Sequence, residues 1–282
     1  MGGIAAKGAE WLGKLTATAG MAARIALLSR PCKVPAAPEG RELLVMGNGP
    51  SLNETLATRG ELIDSCDTMA VNFAANTPEF RRIKPEHYVL ADPHFFTGEA
   101  EDPNVARLWR ELEQADWKLT LHVDRRLGLL RARRLAESNS NITVAPFNMA
   151  ATGGFGCTGR WAMARGLAMP RPRNVMIPAL TQAMRMGYRQ IWLAGADHTW
   201  TRTLDVDNRN RVISVQPHFY ADNNDERDRV DKVYAGVRLH QALGSMAIAF
   251  ASYWELQDYA LRHGTTITNI TPGSMIDAFP RG

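Results

Sequence analysis

Cysteine is scarce. Three occur in 282 residues, Cys32, Cys66 and Cys157, far apart and with no CxxC pair. That excludes a disulfide framework or zinc knuckle as the organising device and makes a reducing, cytoplasmic setting the expectation. No apolar run is long enough to cross a bilayer, because charges interrupt each one. Strong charge of one sign is also missing. The net charge is +4, with a pI of about 9.1, and it is spread along the chain. Nucleic acid is therefore not an expected partner, whereas phosphates or an acidic membrane face would suit so mild an excess. There is no internal repeat and no low-complexity tract.

What is present reads as one α/β unit behind a helical annex. Residues 4–28 carry Trp11, Leu12, Leu15, Met21, Ile25, Leu27 and Leu28, interleaved with Lys7, Glu10, Lys14 and Arg24. A signal peptide would place its charges before an unbroken apolar run, so a cationic amphipathic helix fits better. It can pack on the domain's own surface or lie on a membrane. Residues 31–40 hold three prolines and read as a linker, giving an annex of 1–40 and a domain of 41–282. Short apolar runs predict strands at 41–46, 68–73, 87–91 and 191–194, alternation of apolar and polar residues predicts one at 117–123, and 142–145 and 265–268 read as further strands. Helical patterns lie at 105–115, 125–137 and 177–186, with Gly187 at the C-cap, and two more helices are expected at 230–242 and 253–263. Alternation of this kind predicts a Rossmann-like, doubly wound parallel sheet. Residues 199–229 are polar and without helical period, and a stretch of roughly 30 such residues reads as a lid.

The first strand runs straight into Gly47-Asn48-Gly49-Pro50-Ser51-Leu52. Glycines admit close approach of a ligand, Pro50 suits the start of a helix, and Ser51 would offer its hydroxyl and amide to an anion there. The loop lacks the Lys-Ser/Thr of a P-loop and the third glycine of the dinucleotide fingerprint. Asn72 and Asp92 close the next two strands. Gly195 and Asp197 close a later central one, so all these ends face one crevice. Asparagine offers donor and acceptor together, which suits a ribose or a base edge. Asn174 joins these candidate nucleotide contacts.

These segments resemble bacterial sialyltransferases that use CMP-sialic acid, a family whose first loop is GNGPSL. The likeness covers Leu44 to Leu52, Asn72 in Val-Asn-Phe, Ala91-Asp92-Pro93-His94-Phe95-Phe96, Gly187 to Asp197, and Pro272-Gly273-Ser274-Met275-Ile276. The wider group includes flagellin-modifying proteins and pterin diphosphokinase-like proteins. The resemblance implies a metal-independent transferase of surface-glycan assembly, with a nucleotide-sugar donor and a glycan or glycolipid acceptor. It also implies that Asn48 and Asn72 touch the nucleotide, while Asp92 replaces a third asparagine of the family. Thr199 stands where that family has the first of two phosphate-holding tyrosines. Arg202, Arg211 and Tyr220 are further candidates for the phosphate.

The resemblance also places the catalytic base on a lid histidine. His218, in the expected lid, and His198, at the sheet edge, are the candidates, with Asp222 as a fallback. Asp205-Val206-Asp207 has the DxD spacing that holds a divalent metal in other glycosyltransferases. In a polar loop, solvated turn residues are the simpler reading. Two other functions stay open: a Mg²⁺-dependent, pterin-type diphosphokinase using Asp92, Asp197 or Asp205, and a non-catalytic nucleotide-sugar-binding protein.

Overall fold

The protein is described here from a computed structural model covering residues 2–98, 100–214 and 236–282. Nine strands occur among them: β1 (Leu43–Met46), β2 (Asp67–Val71), β3 (His87–Leu90), β4 (Leu119–Asp124), β5 (Ile142–Phe147), β6 (Gln190–Ala194), β7 (Leu204–Val206), β8 (Val212–Ser214) and β9 (Thr266–Asn269). Seven form one wholly parallel sheet in the order β5-β4-β3-β2-β1-β6-β9, while β7 and β8 pair as a separate hairpin. The chain steps outward from β1 to β5, crosses back to β6, and steps outward again to β9. The switch therefore falls between β1 and β6, and a crevice opens at their carboxyl ends.

All seven expected strands are present. The apolar runs carry them because both faces of this sheet are covered. Leu43 and Val45 point to one core layer and Leu44 and Met46 to the other, so β1 has no polar side. The helices are α1 (Gly2–Leu28), α2 (Leu52–Thr58), α3 (Glu61–Ser65), α4 (Pro78–Ile83), α5 (His94–Thr97), α6 (Pro103–Glu113), α7 (Leu129–Ser138), α8 (Gly156–Ala164), α9 (Met176–Met186), α10 (Trp200–Thr203) and α11 (Leu239–Arg262). On one face α6 begins with Pro103 behind an Asp102 cap, whose carboxylate accepts from the Asn104 amide at 2.8 Å. It buries Val105, Leu108, Trp109 and Leu112 completely. Removing one of these, as in Leu112→Ala, costs about 2–5 kcal/mol. On the other face lie α9, buried along nearly its whole length, and α11. Gly187 ends α9 at φ 98°, the left-handed turn that glycine accepts without strain.

Three expectations need correction. Where two C-terminal helices were expected at 230–242 and 253–263, residues 239–262 are one helix of 24 residues, α11, and residues 230–235 lie outside the described residues. Ala242, Met246, Ala249, Tyr253, Leu256 and Ala260 recur along it at spacings of three and four, one buried stripe that the small polar residues Gly244, Ser245 and Ser252 disguise. The expected lid is not irregular throughout, for α10 and the β7–β8 hairpin occupy its first part. The proline-rich linker is docked rather than loose. The Ala37 amide donates to the Met186 carbonyl at 2.7 Å, Arg185 donates to the Cys32 carbonyl at 2.9 Å, and Val34 and Ala37 pack on the core.

The annex helix divides into two halves. Its second half packs on the body through Met21, against Ala150, Ala162 and Ala168. Ser29 Oγ donates to the Leu167 carbonyl at 2.6 Å. Its first half leaves Trp11, Leu12 and Leu15 exposed. No helix among the described residues is long and apolar enough to cross a membrane.

Candidate functional site at the sheet switch point

The loop after β1 is stitched to the loop after β6. The Gly47 amide donates to the Ala194 carbonyl and the Gly49 amide to the Gly195 carbonyl, both at 2.8 Å. The two backbones lie so close that a Cβ on Gly47 would strike the Gly195 carbonyl, and one on Gly49 would strike the Asp197 carboxylate. These glycines serve close approach, as the sequence suggested, but the neighbour they admit is the protein's own chain. Asp197 completes the join: its Oδ2 accepts from Ser51 Oγ at 2.7 Å and its Oδ1 from the Ser51 amide at 3.3 Å. The amino end of α2 therefore already holds a carboxylate. The expectation of a free anion site at Ser51 is corrected on that ground, since a phosphate there would meet like charge.

Beside this join lies a cavity of 610 Å³, lined by Asn48, Asn72, Asn174, Arg173, His198 and Trp200 among others. That volume suits a small ligand of nucleotide size. Its walls come from the ends of β1, β2 and β3, Met149 beyond β5, the segment before α9, the β6–α10 connection, and the first turns of α11. Asn48 Nδ2 donates to the Val71 carbonyl at 3.2 Å, and its buried Oδ1 has no partner among the described residues. Asn72 Oδ1 is likewise buried without a partner. Asn174 Oδ1 accepts from the Met176 amide and from the Tyr253 hydroxyl, each at 3.0 Å, which leaves its Nδ2 buried and unpartnered. Two acceptors and one donor thus stand unspent around one cavity. Each unmet buried polar atom costs about 1–3 kcal/mol, a cost that a ligand would relieve.

Asn72 also sits at φ 50°, uncommon for a side-chain-bearing residue. The Tyr88 hydroxyl holds it there, donating to the Asn72 carbonyl and accepting from the Ala75 amide at 2.8 Å. Strain kept in place by a fully buried tyrosine at a cavity wall is a mark of a site.

His198 lies on the far wall at φ 51°. Its Nε2 is 2.5 Å from the Tyr253 hydroxyl, and its ring lies 4.1 Å from that of Trp200 between centroids. Because Tyr253 donates onward to Asn174, its oxygen receives the His198 N–H, and Nδ1 is left as the lone-pair nitrogen. Burial pushes the imidazolium pKa down to about 3, so the ring is neutral at physiological pH and a weak proton acceptor. In this setting it fixes Tyr253 and, through it, Asn174.

The other candidates separate. Gly47, Gly49, Gly195, Asp197 and Thr199 line the cavity. Asp92 lines its edge but is exposed, with Oδ1 accepting from the His94 amide at 2.9 Å. Arg202 is not at this cavity; it faces another one across α10. Arg211 lies on the hairpin and pairs with Asp207 at 2.7 Å, which places both away from a phosphate bound here. Asp207 also caps its own turn, accepting from the Arg209 and Arg211 amides, so the DxD triplet forms a hairpin end. Asp92, Asp197 and Asp205 do not converge, and no cluster of three metal-type ligands occurs among the described residues. His218, Tyr220 and Asp222 lie outside the described residues.

Sequence reasoning missed Arg173, Trp200, Tyr253, Gln241 and Ser245. Arg173 is the arginine that lines the cavity, and it makes no hydrogen bond or ion pair among the described residues. Gln241 and Ser245 could have been found, because they are polar residues four apart that flank the apolar stripe of α11 on one side. Arg173 carries no such local signal.

Neither a family model nor a curated protein matches the sequence. Among solved structures the chain is similar to the MAf glycosyltransferase from Magnetospirillum magneticum AMB-1, at 12% identity and a TM-score of 0.50. The match covers 92% of this chain but only 37% of the length of that protein, and what it shows is a shared Rossmann-like α/β fold.

Proposed function

We propose that the protein transfers a sugar from a CMP-type nucleotide donor to a hydroxyl of a glycan or glycolipid, without a metal ion. The observation that carries this reading is the trio of unpartnered buried atoms, Asn48 Oδ1, Asn72 Oδ1 and Asn174 Nδ2, around one cavity at the sheet's switch point. Two acceptors and a donor complement a nucleoside, whose ribose hydroxyls and base edge supply the matching groups. Nonulosonic acids are the sugar class suggested by the sequence resemblance. The glycosyltransferase whose fold is shared supports sugar transfer in general.

The reaction needs a base, a leaving group and dryness. A base takes the proton of the acceptor hydroxyl, whose oxygen bonds to the anomeric carbon of the donor. The bond from that carbon to the phosphate oxygen breaks, and CMP leaves with the electron pair. In this reading Arg173 and Thr199, which line the cavity, receive the phosphate charge. His218 is the base in this reading and Asp222 its substitute. His198, neutral and tied to Tyr253, serves as a positioning residue. The exposed Trp11, Leu12 and Leu15 with Lys7 and Lys14 on α1 would rest on an acidic membrane face, which suits a lipid-linked acceptor.

A thermal-shift panel of CMP, CDP, UDP, GDP and ATP, with and without Mg²⁺, tests the donor. Ligand at 100 times its Kd stabilises by about 2.7 kcal/mol, so a true site shows a clear rise in Tm. Stabilisation by CMP in EDTA is expected. A response to ATP with Mg²⁺ alone would favour a diphosphokinase instead. Slow hydrolysis of a CMP-sugar without acceptor separates an enzyme from a binding protein.

A further inference from the structure

A second cavity, of 690 Å³, lies on the opposite side of α10 from the first. The short helix is a shared wall: Trp200 and Thr203 line the first cavity, and Arg202 lines the second. Three arginines from distant parts of the chain meet here. Arg59 comes from the end of α2, Arg202 from α10, and Arg281 from beyond β9. Neither Arg59 nor Arg202 makes a side-chain hydrogen bond or ion pair among the described residues. Arg281 is held in place by one nitrogen, Nη2, which donates to the Ser274 and Ile276 carbonyls at 2.7 and 2.9 Å. The opposing acidic side chain in the lining is Glu54 alone.

Arg41, Arg81, Arg160, Arg211 and Arg262 each pair with a carboxylate. Guanidiniums gathered at a concave surface repel one another and are relieved by an oxyanion, which their forked N–H groups bind two at a time. The cavity is at the carboxyl edge of the same sheet, formed by the loop after β9, so it opens beside the donor cavity rather than behind it.

We infer that this second cavity binds the anionic group, phosphate or carboxylate, of a charged sugar acceptor, and so selects acceptors that carry one. The inference rests on the sugar-transfer reading for the word acceptor and on the arginines for the anion. The structure gives the acceptor's anchor one short helix away from the donor's phosphate.

Titration calorimetry on the full chain tests it, using glucose 6-phosphate, glucuronic acid, glucose, inorganic phosphate and CMP as probes. The variant is Arg59→Gln/Arg202→Gln, both surface changes outside the donor cavity. At least one anionic sugar is expected to bind the native protein and to weaken tenfold or more in the variant, with CMP affinity unchanged within twofold. Which sugar binds tells phosphate from carboxylate. The inference is overturned if no anionic sugar binds at millimolar concentration. It also falls if the variant binds as well as the native protein, or if bare phosphate binds as tightly as the sugar phosphate. CMP failing while the anionic sugar binds would sink the donor reading and leave this cavity standing; the reverse result would do the opposite.

Discussion

The two edges of the sheet treat buried polar groups in opposite ways. At the amino edge Arg41 donates to Asp67 Oδ1 at 2.9 Å, and the Tyr188 hydroxyl donates to Asp67 Oδ2 at 2.6 Å. That hydroxyl lies 3.1 Å from His87 Nε2, and His87 Nδ1 lies 3.3 Å from His122 Nε2. Almost every group in this chain is answered by another, with His122 Nδ1 the one atom left over. At the carboxyl edge three asparagines each keep an amide atom buried and unanswered beside a cavity. A satisfied network rigidifies a fold, whereas an unsatisfied one stores a cost that a ligand can remove. Arg24 Nε, Asn76 Oδ1, His122 Nδ1 and Gln257 Oε1 are also buried without a partner among the described residues, so it is the gathering of three such atoms around one cavity that marks the site.

The contrast breaks most sharply at Asp67. Asp67→Ala removes the acceptor of the buried Tyr188 hydroxyl, which keeps His87, and of Arg41, which is partly solvated and keeps the Ser65 carbonyl, so stability should fall by about 1–2 kcal/mol in urea unfolding. CMP affinity of the folded fraction should stay within about twofold, since the carboxyl edge is untouched. If affinity falls with stability, the two edges are not independent.

Acid tests the same edge. Burial holds the His87 imidazolium at a pKa of about 4, against 6.5 when unfolded, and holds His122 well below that ordinary value. As pH falls from 6.5 towards 4 the unfolded chain takes up protons that the folded chain refuses, so stability rises with pH in this window. Each histidine contributes a slope of up to about 1.4 kcal/mol per pH unit. His122→Leu should flatten the fall between pH 7 and 5 by one proton's worth. An unchanged slope would mean that His122 is protonated in the fold.

The carboxyl edge should respond in affinity instead. Asn72→Gly removes an unmet acceptor and frees the backbone from its positive φ, so stability should change by no more than about 0.5 kcal/mol. CMP binding should weaken about tenfold, or roughly 1.4 kcal/mol, for the lost hydrogen bond. A smaller effect separates two arginines. Arg173→Gln should weaken CMP binding severalfold and reduce its salt dependence, while Arg202→Gln should do neither.

Much of the frame was legible in the sequence because its signals are local. Leu43 to Met46 reads as a strand because a sheet covered on both faces leaves an apolar run in the chain, and Leu119 to Val123 because its apolar residues alternate with polar ones. Gly187 announced the end of α9. Asn48 and Asn72 were named from the strand ends and the family resemblance, and both line the cavity together with Asn174. What escaped was non-local. That Asp197 would turn back onto Ser51 depends on β6 lying beside β1, which no run of residues states. Tyr253 reaches Asn174 across 79 positions, and Arg202 and Arg173 fall on different cavities although both are basic. The continuity of α11 was hidden by Gly244 and Ser245, which read as a break but lie within one helix.

The central claim is that the asparagine cavity holds a nucleotide by hydrogen bonds without metal. Calorimetric titration of CMP in EDTA, into the native protein and into Asn48→Ala/Asn72→Gly, tests it most directly. The account predicts saturable one-to-one binding to the native protein and a loss of at least about tenfold in the variant, with unfolding free energy nearly unchanged. Equal binding by the two proteins, or binding by neither until Mg²⁺ is added, would contradict it.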